Sequence, residues 1–224
     1  ITNGRRGFKI AGGNNTVNAT TGNVNVQSNA AGAALTVNMG AGSQINANAA
    51  GTGMVNFNPT TAGNINITGG PANGLISAGN DVTYQGGTVA VNVGQIIGCN
   101  ESVGAGVTTA SITTATGDLR VGPFTSSGNA AFTANGVGAD IITCGDINSG
   151  AGNLTLQAGT GANANVQLKN NVTSTGLLTI NSGAGAGSNV TLDPAVTVSG
   201  GTTAVNTPQL ALGAGSTPRA STGD

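Results

Sequence analysis

Residues 152–199 read GNLTLQAGTGANANVQLKNNVTSTGLLTINSGAGAGSNVTLDPAVTVS. Four apolar-polar-apolar triplets recur in this stretch: Leu154-Thr155-Leu156, Val166-Gln167-Leu168, Leu178-Thr179-Ile180 and Val190-Thr191-Leu192. Their first residues fall 12 apart each time. Alternation with period 2 marks each triplet as a strand with one face inward and one outward. A second series, Val172-Thr173 and Val196-Thr197-Val198, returns at twice that step. Short strands at a fixed step are the signature of a solenoid.

Working outward, residues 14–78 carry weaker signals at roughly ten-residue spacing, from Val24-Asn25-Val26 to Leu75-Ile76. Taken two to a coil, they predict coils of about 20 residues, shorter than the double step of the later stretch. Between them lie small-residue turns such as AAGAA and GAGS. Residues 94–111 break the rhythm and are expected to leave the coil. Residues 1–13 (ITNGRRGFKIAGG) read as a basic arm or a first strand, 14–212 as the solenoid, and 213–224 as a linker-like tail. None of the six prolines falls in the middle of an alternating triplet, where it would remove a ladder hydrogen bond.

The best local repeat is Gly, then Asn or Asp, then apolar-x-apolar, as at Gly22-Asn23-Val24-Asn25-Val26 and Gly152-Asn153-Leu154-Thr155-Leu156. Gly permits the bend, and Asx bonds the local backbone. Asn23, Asn64, Asn153 and Asn189 are candidates for an amide ladder between coils.

A helical reading fails, because no window shows apolar spacings of three and four. A sandwich or barrel would usually carry larger core residues; this chain has no Trp, four Phe and one Tyr. The fold class expected is therefore all-β, a right-handed parallel β-helix with coils of about 20–24 residues. That gives roughly ten turns and a rod about 45–50 Å long at ~4.8 Å per turn.

The runs G-N-L-T-L, N-V-Q-L, G-L-L-T-I-N-S-G and N-V-T-L resemble the filamentous haemagglutinin-like adhesins and related large repetitive bacterial surface proteins. The resemblance is clearest over 152–212 and weaker over 22–93. It implies a long right-handed parallel β-helix, secreted to the cell surface, with a role in adhesion, biofilm or surface structure. The Asn-Pro motifs of the family's secretion domain are not recognisable; Asn58-Pro59 is the one Asn-Pro pair.

Charged residues are 6% of the chain, where a typical domain has about 25%. Neutral Asn, Thr, Ser and Gly must cover the surface instead. No apolar run approaches a membrane span, and no basic face suits nucleic acid. The chain starts at Ile1 with neither an initiator Met nor a signal peptide, so a mature or excised part of a secreted precursor is expected. With no His, Ser–His and Cys–His nucleophiles are excluded, and no phosphate, dinucleotide or metal motif is present. The expectation is no enzyme, no cofactor and no metal. Asp118 and Arg120 read as a surface ion pair on one strand, while Asp140 and Asp146 are a weak calcium pattern. Cys99 and Cys144 stand about two coils apart; an internal bridge, buried thiols or an intermolecular link all remain open.

The function expected is structural: a subunit of an extracellular filament, joined head to tail as a homopolymer. Uncapped solenoid ends are edges that accept strands. Arg5, Arg6 and Lys9 are candidates for docking on an acidic neighbour. The alternative is a stalk or passenger domain of a larger adhesin that meets a host or neighbouring-cell surface. A third reading is a Thr face for ice, with Thr155, Thr179 and Thr203 in one column and Thr173 and Thr197 in another.

Overall fold

The computed structural model describes residues 2–3, 8–10, 15–28, 34–48, 51–59, 63–69, 74–103 and 107–220. Among them there is no helix; the chain is a parallel β-solenoid of about eight turns. Eight steps of ~4.8 Å make a rod about 38 Å long, shorter than the sequence predicts. Three parallel sheets wrap the core: sheet A with 12 strands, sheet B with nine and sheet C with five. Inward residues alternate with outward ones, as in Val24–Ser28, where Val24, Val26 and Ser28 are buried. This alternation follows from the pleat, which sends successive side chains to opposite faces.

The repeat unit of 152–199 is half a coil. Leu154 stacks on Leu178 in sheet B, and Val166 on Val190 in sheet A, so each triplet pairs with the next but one. The early coils are longer, not shorter, than the later ones. Val24 pairs with Val55 at a step of 31, and Val55 with Val82 at 27. The strand spacing read from the sequence holds, but three strands, not two, complete a coil. The third is an extra branch of sheet A formed by Thr16–Ala19 and Gln44–Ala47. The shortest step joins Val82 to Asn100.

That shortening comes from a moving corner. Gln44–Ala47 and Val55–Pro59 are separate strands joined by a loop. One coil later, Leu75–Tyr84 is one uninterrupted strand that pairs with both. The next strand, Gln95–Ser102, keeps that path with a register shift between Ile97 and Cys99 at Gly98. Residues 94–111 therefore stay in the coil as far as they are described; Thr109–Thr114 forms the next strand of sheet B. Beyond it the chain bends again at the cis Gly122-Pro123 bond, and sheet C begins with Phe124–Thr125. Gly122 has φ +104, and a Cβ there would press on the Gly145 carbonyl, so only glycine fits the corner.

Cys99 and Cys144 form a disulfide across 45 residues with their Cα atoms 6.5 Å apart. It bridges the coils on either side of the Gly122 corner. By restricting the unfolded chain, a loop of this length contributes about 4 kcal/mol.

The core is a narrow column of Val, Ile, Leu and Ala, with aromatic residues near the change of cross-section. Phe57 and Tyr84 stack at 5.8 Å, and Phe124 meets Phe132 edge to face at 4.9 Å. In the buried column Val24, Val55, Val82, Asn100, Val121, Thr143, two polar residues replace valine. Asn100 is satisfied: its Oδ1 accepts the Tyr84 hydroxyl at 2.6 Å, and its Nδ2 donates to the Arg120 carbonyl at 3.0 Å. Burial pushes the Tyr84 phenol far up, so it stays a neutral donor.

The last coil runs beyond 212. Thr217–Ala220 pairs with Thr197–Gly200 in sheet C, inside the stretch expected to be a linker. At the other end Thr2–Asn3 and Phe8–Ile10 already lie in sheets A and B.

Candidate functional site

The Asx residues before strands perform one repeated task. The Oδ1 of Asn23 accepts the Met54 N–H, that of Asn64 the Thr88 N–H, and that of Asn153 the Leu177 N–H. Each bond reaches one coil ahead, at the point where the backbone leaves the ladder to turn. An amide oxygen there replaces the missing carbonyl. The four ladder candidates do not form one stack. Asn23 and Asn189 stand at the sheet A corner, Asn64 and Asn153 at the sheet B corner. Asn189 Oδ1 accepts the Thr191 hydroxyl within its own coil, while its N–H donates to Asn165 Oδ1. Asp118, Asp140 and Asp146 belong to the same device. They accept the N–H groups of Asp140, Asn165 and Asn171. Asp118 is thus a corner acceptor beside Arg120, and Asp140 and Asp146 serve different corners, so the expected ion-pair and calcium patterns give way to backbone capping. Burial raises the Asp140 carboxyl from its ordinary 3.8, opposed by the Asn165 N–H, and nearby Asp118 raises it further.

Real amide ladders run on the outer faces. Asn56 Nδ2 donates to Asn25 Oδ1, and Asn206, Asn181 and Gln157 form a chain of 2.7 Å bonds. The expected Thr columns are broken. Thr155 and Thr179 stack, but Ala204 follows them, and Thr173 meets Ser199. Steps of 25 and 26 at these rungs shift both columns out of the even repeat.

A cluster of ionisable side chains lies over the moving corner. Asp81, Glu101 and Arg120 line a hollow of about 440 Å³ floored by Gly98 and the Cys99–Cys144 bridge. Desolvation raises Asp81 and Glu101 from their ordinary 3.8 and 4.5; their mutual hydrogen bond holds Asp81 down and Glu101 up. In that bond Asp81 is the acceptor and Glu101 the donor. Carboxyls in hydrogen-bond contact are closer than the about 5 Å of a retaining glycosidase pair. Oxygen and sulfur atoms of Asp81, Cys99 and Glu101 lie within 4.8 Å of one another. The sulfur is committed to the disulfide, which leaves two carboxyls, fewer ligands than a hard cation takes. Sequence reasoning passed over this pair. Asp81 and Glu101 meet only because the local coil shrinks to nearly the length of chain between them.

Arg5 and Arg6 lie outside the described residues, as does the Lys9 side chain; the Lys9 backbone pairs opposite Asn38 in sheet B.

The C-terminal end of the rod is open among the described residues. Leu210 stacks on Val190 and Leu212 on Leu192. Val190 and Leu192 are 0% and 2% exposed, whereas Leu210 and Leu212 are 46% and 52% exposed. They occupy core columns with no described coil above them. The sheet C edge is blunted: Thr217 N–H bonds back to the Val196 carbonyl, so the backbone nitrogen of residue 218 is the one turned to the open edge, and it is a proline without N–H. Among residues 202–220 the one charge is Arg219, so the described part of this face offers no carboxylate to a basic arm.

No family profile, curated protein or solved structure matches this chain.

Proposed function

We propose that the chain is a structural subunit of an extracellular surface filament, of the filamentous haemagglutinin-like kind, built by adding coils at the solenoid end. The observation that carries this is the last described coil, whose core leucines Leu210 and Leu212 lie above buried columns and are uncovered among the described residues. An incoming coil would bury them and pair with the free edges of sheets A and B. Its partners are further copies of the chain and, through the assembled fibre, a host or neighbouring-cell surface. No catalytic step, cofactor or nucleic acid enters this proposal. Because the described part of the end face carries no acidic group, the drive is backbone pairing and apolar burial, not a docked basic arm.

A second reading is favoured by one observation. An early coil steps by 31, from Val24 to Val55, and the last by 20, from Val190 to Leu210, so the two ends differ in cross-section. Head-to-tail copies would meet on unequal faces, whereas further coils of a longer chain would match. On that reading the segment is a stalk within a larger secreted adhesin. Sedimentation velocity across a concentration series separates the two. The filament predicts species that keep growing with concentration, which Leu210→Asp with Leu212→Asp abolishes; a species that stops at one or two copies rejects it in favour of the stalk.

A further inference from the structure

Charge is partitioned around the rod. Nine charged side chains fall among those described, and none of these lies on sheet B. Asp81, Glu101 and Arg120 are on sheet A, with Asp118 and Asp140 at its leading corner. Asp146, Lys169 and Asp193 occupy the corner toward sheet C, and Arg219 lies on sheet C. From Leu35–Met39 to Thr202–Asn206, sheet B turns only Thr, Asn, Ser, Gln, Ala and Leu177 outward. Its register aligns one unbroken outward column through Asn92, Thr113, Thr133, Gln157, Asn181 and Asn206.

We infer that sheet B, from Leu35–Met39 onward, is a lateral interface, and that its partner is sheet B of a second copy of this chain. Electrostatics selects that pairing. Sheets A and C with their corners carry six carboxyls against three cations, so two copies meeting by those faces bring like charge together. Sheet B against sheet B, from Leu35–Met39 onward, desolvates no described charge. The face is also partly organised in advance. Thr68 donates to Asn38, Asn181 to Gln157 and Asn206 to Asn181, all along the rod axis. These side chains lose little rotamer freedom on contact, and stacked amide ladders are suited to dry sheet-to-sheet packing.

Other partners fit less well. Phe57, Tyr84, Phe124 and Phe132 are all buried, which leaves no described aromatic platform for a sugar ring. No described cation lies on the face for a phosphate backbone. Eight strands at ~4.8 Å and about four residues at ~3.3 Å per strand give a patch of about 500 Å². A pair then buries about 1,000 Å², the lower bound for a specific contact. One module therefore pairs reversibly, and rods with more coils pair more strongly. The contact is isologous and closes at two copies. It rests on sheet B alone and not on the end contact proposed above.

The test uses the Leu210→Asp, Leu212→Asp chain, in which end contact is disabled. Sedimentation equilibrium is expected to show a dimer. Thr113→Asp with Thr133→Asp is expected to weaken it at least tenfold, as is Thr113→Lys with Thr133→Lys. Thr125→Asp, on exposed sheet C, leaves it unchanged. Mixing the Asp and Lys variants restores the dimer. Ser111→Asp and Ser111→Lys repeat the test at one site should a double variant lose its native circular dichroism. A strict monomer before substitution, equal weakening by Thr125→Asp, or no recovery on mixing folded variants overturns the inference. Thermal hysteresis from a monomeric chain would assign the face to ice instead, and also overturns it.

Discussion

The coils before residue 103 and those after residue 107 solve one problem in two ways. The early coils have sides formed by the branch of sheet A, by sheet A itself and by sheet B, with steps along sheet A of 25–31 as far as Tyr84, before the shrinkage to 18–20 at Gln95–Ser102. The later coils use sheets A, C and B, with steps of 20–26. Both halves keep the same inward columns and the same Asx acceptors at their corners. What differs is where the chain bends. The corner is lost at Leu75–Tyr84 and reappears at Gly122-Pro123. A solenoid therefore tolerates a change of outline provided that each rung stays in register with the next.

The largest way to break this comparison is to spoil the new corner. Gly122→Val meets both a positive φ and the Gly145 carbonyl and is expected to cost about 4 kcal/mol or more in urea unfolding. Gly22→Val, at φ +85 in open space, should cost about 1–2 kcal/mol. Equal losses would mean that the corner is not special.

Next comes the buried polar link between the halves. Asn100→Ala strands the Tyr84 hydroxyl in the core and should destabilise by about 1–3 kcal/mol. In a Tyr84→Phe background the same change should cost less, because no orphan donor remains. A double-mutant cycle with no coupling would refute the Tyr84–Asn100 bond on which this link rests.

Corner acceptors sharpen the likeness of the halves. Asn23→Ala and Asn153→Ala each remove one acceptor from a backbone N–H and should each cost about 1 kcal/mol. A loss in one half alone would show that the corners are not equivalent.

The smallest effect is electrostatic. Asp81 and Glu101 both have raised carboxyl values, so the folded state holds protons more tightly than the unfolded state. Their favourable contribution is complete below about pH 4, near the ordinary carboxyl values, and fades as pH rises through the folded values. Glu101→Gln should flatten this decline in melting temperature between acidic and neutral pH. An unchanged profile would place the sensitivity elsewhere.

The later half was legible in sequence because its coils are nearly uniform; the even step survives translation into strand pairs such as Leu154 on Leu178. The early half was legible strand by strand, but not coil by coil. Signals such as Ile45-Asn46-Ala47 and Val55-Asn56-Phe57 look alike, and nothing local tells a reader to group them in threes. The Cys99–Cys144 bridge remained one of several readings because two regular coils separate Cα atoms by about 9–10 Å; the register shift at Gly98, just before Cys99, and the bend at Gly122, between the two cysteines, make these coils irregular. The Asp81–Glu101 pair was hidden for the same reason, since its contact depends on a local coil length. The open last coil was missed because residues 213–220, GAGSTPRA, look like a linker, although Thr217–Ala220 completes the third side.

The most direct measurement is electron microscopy of the purified chain beside its Leu210→Asp, Leu212→Asp variant. End-to-end assembly predicts linear fibres with an axial repeat of about 38 Å for the former and short rods, single or paired side by side, for the latter. Short rods without axial growth from both, at every concentration, would contradict it.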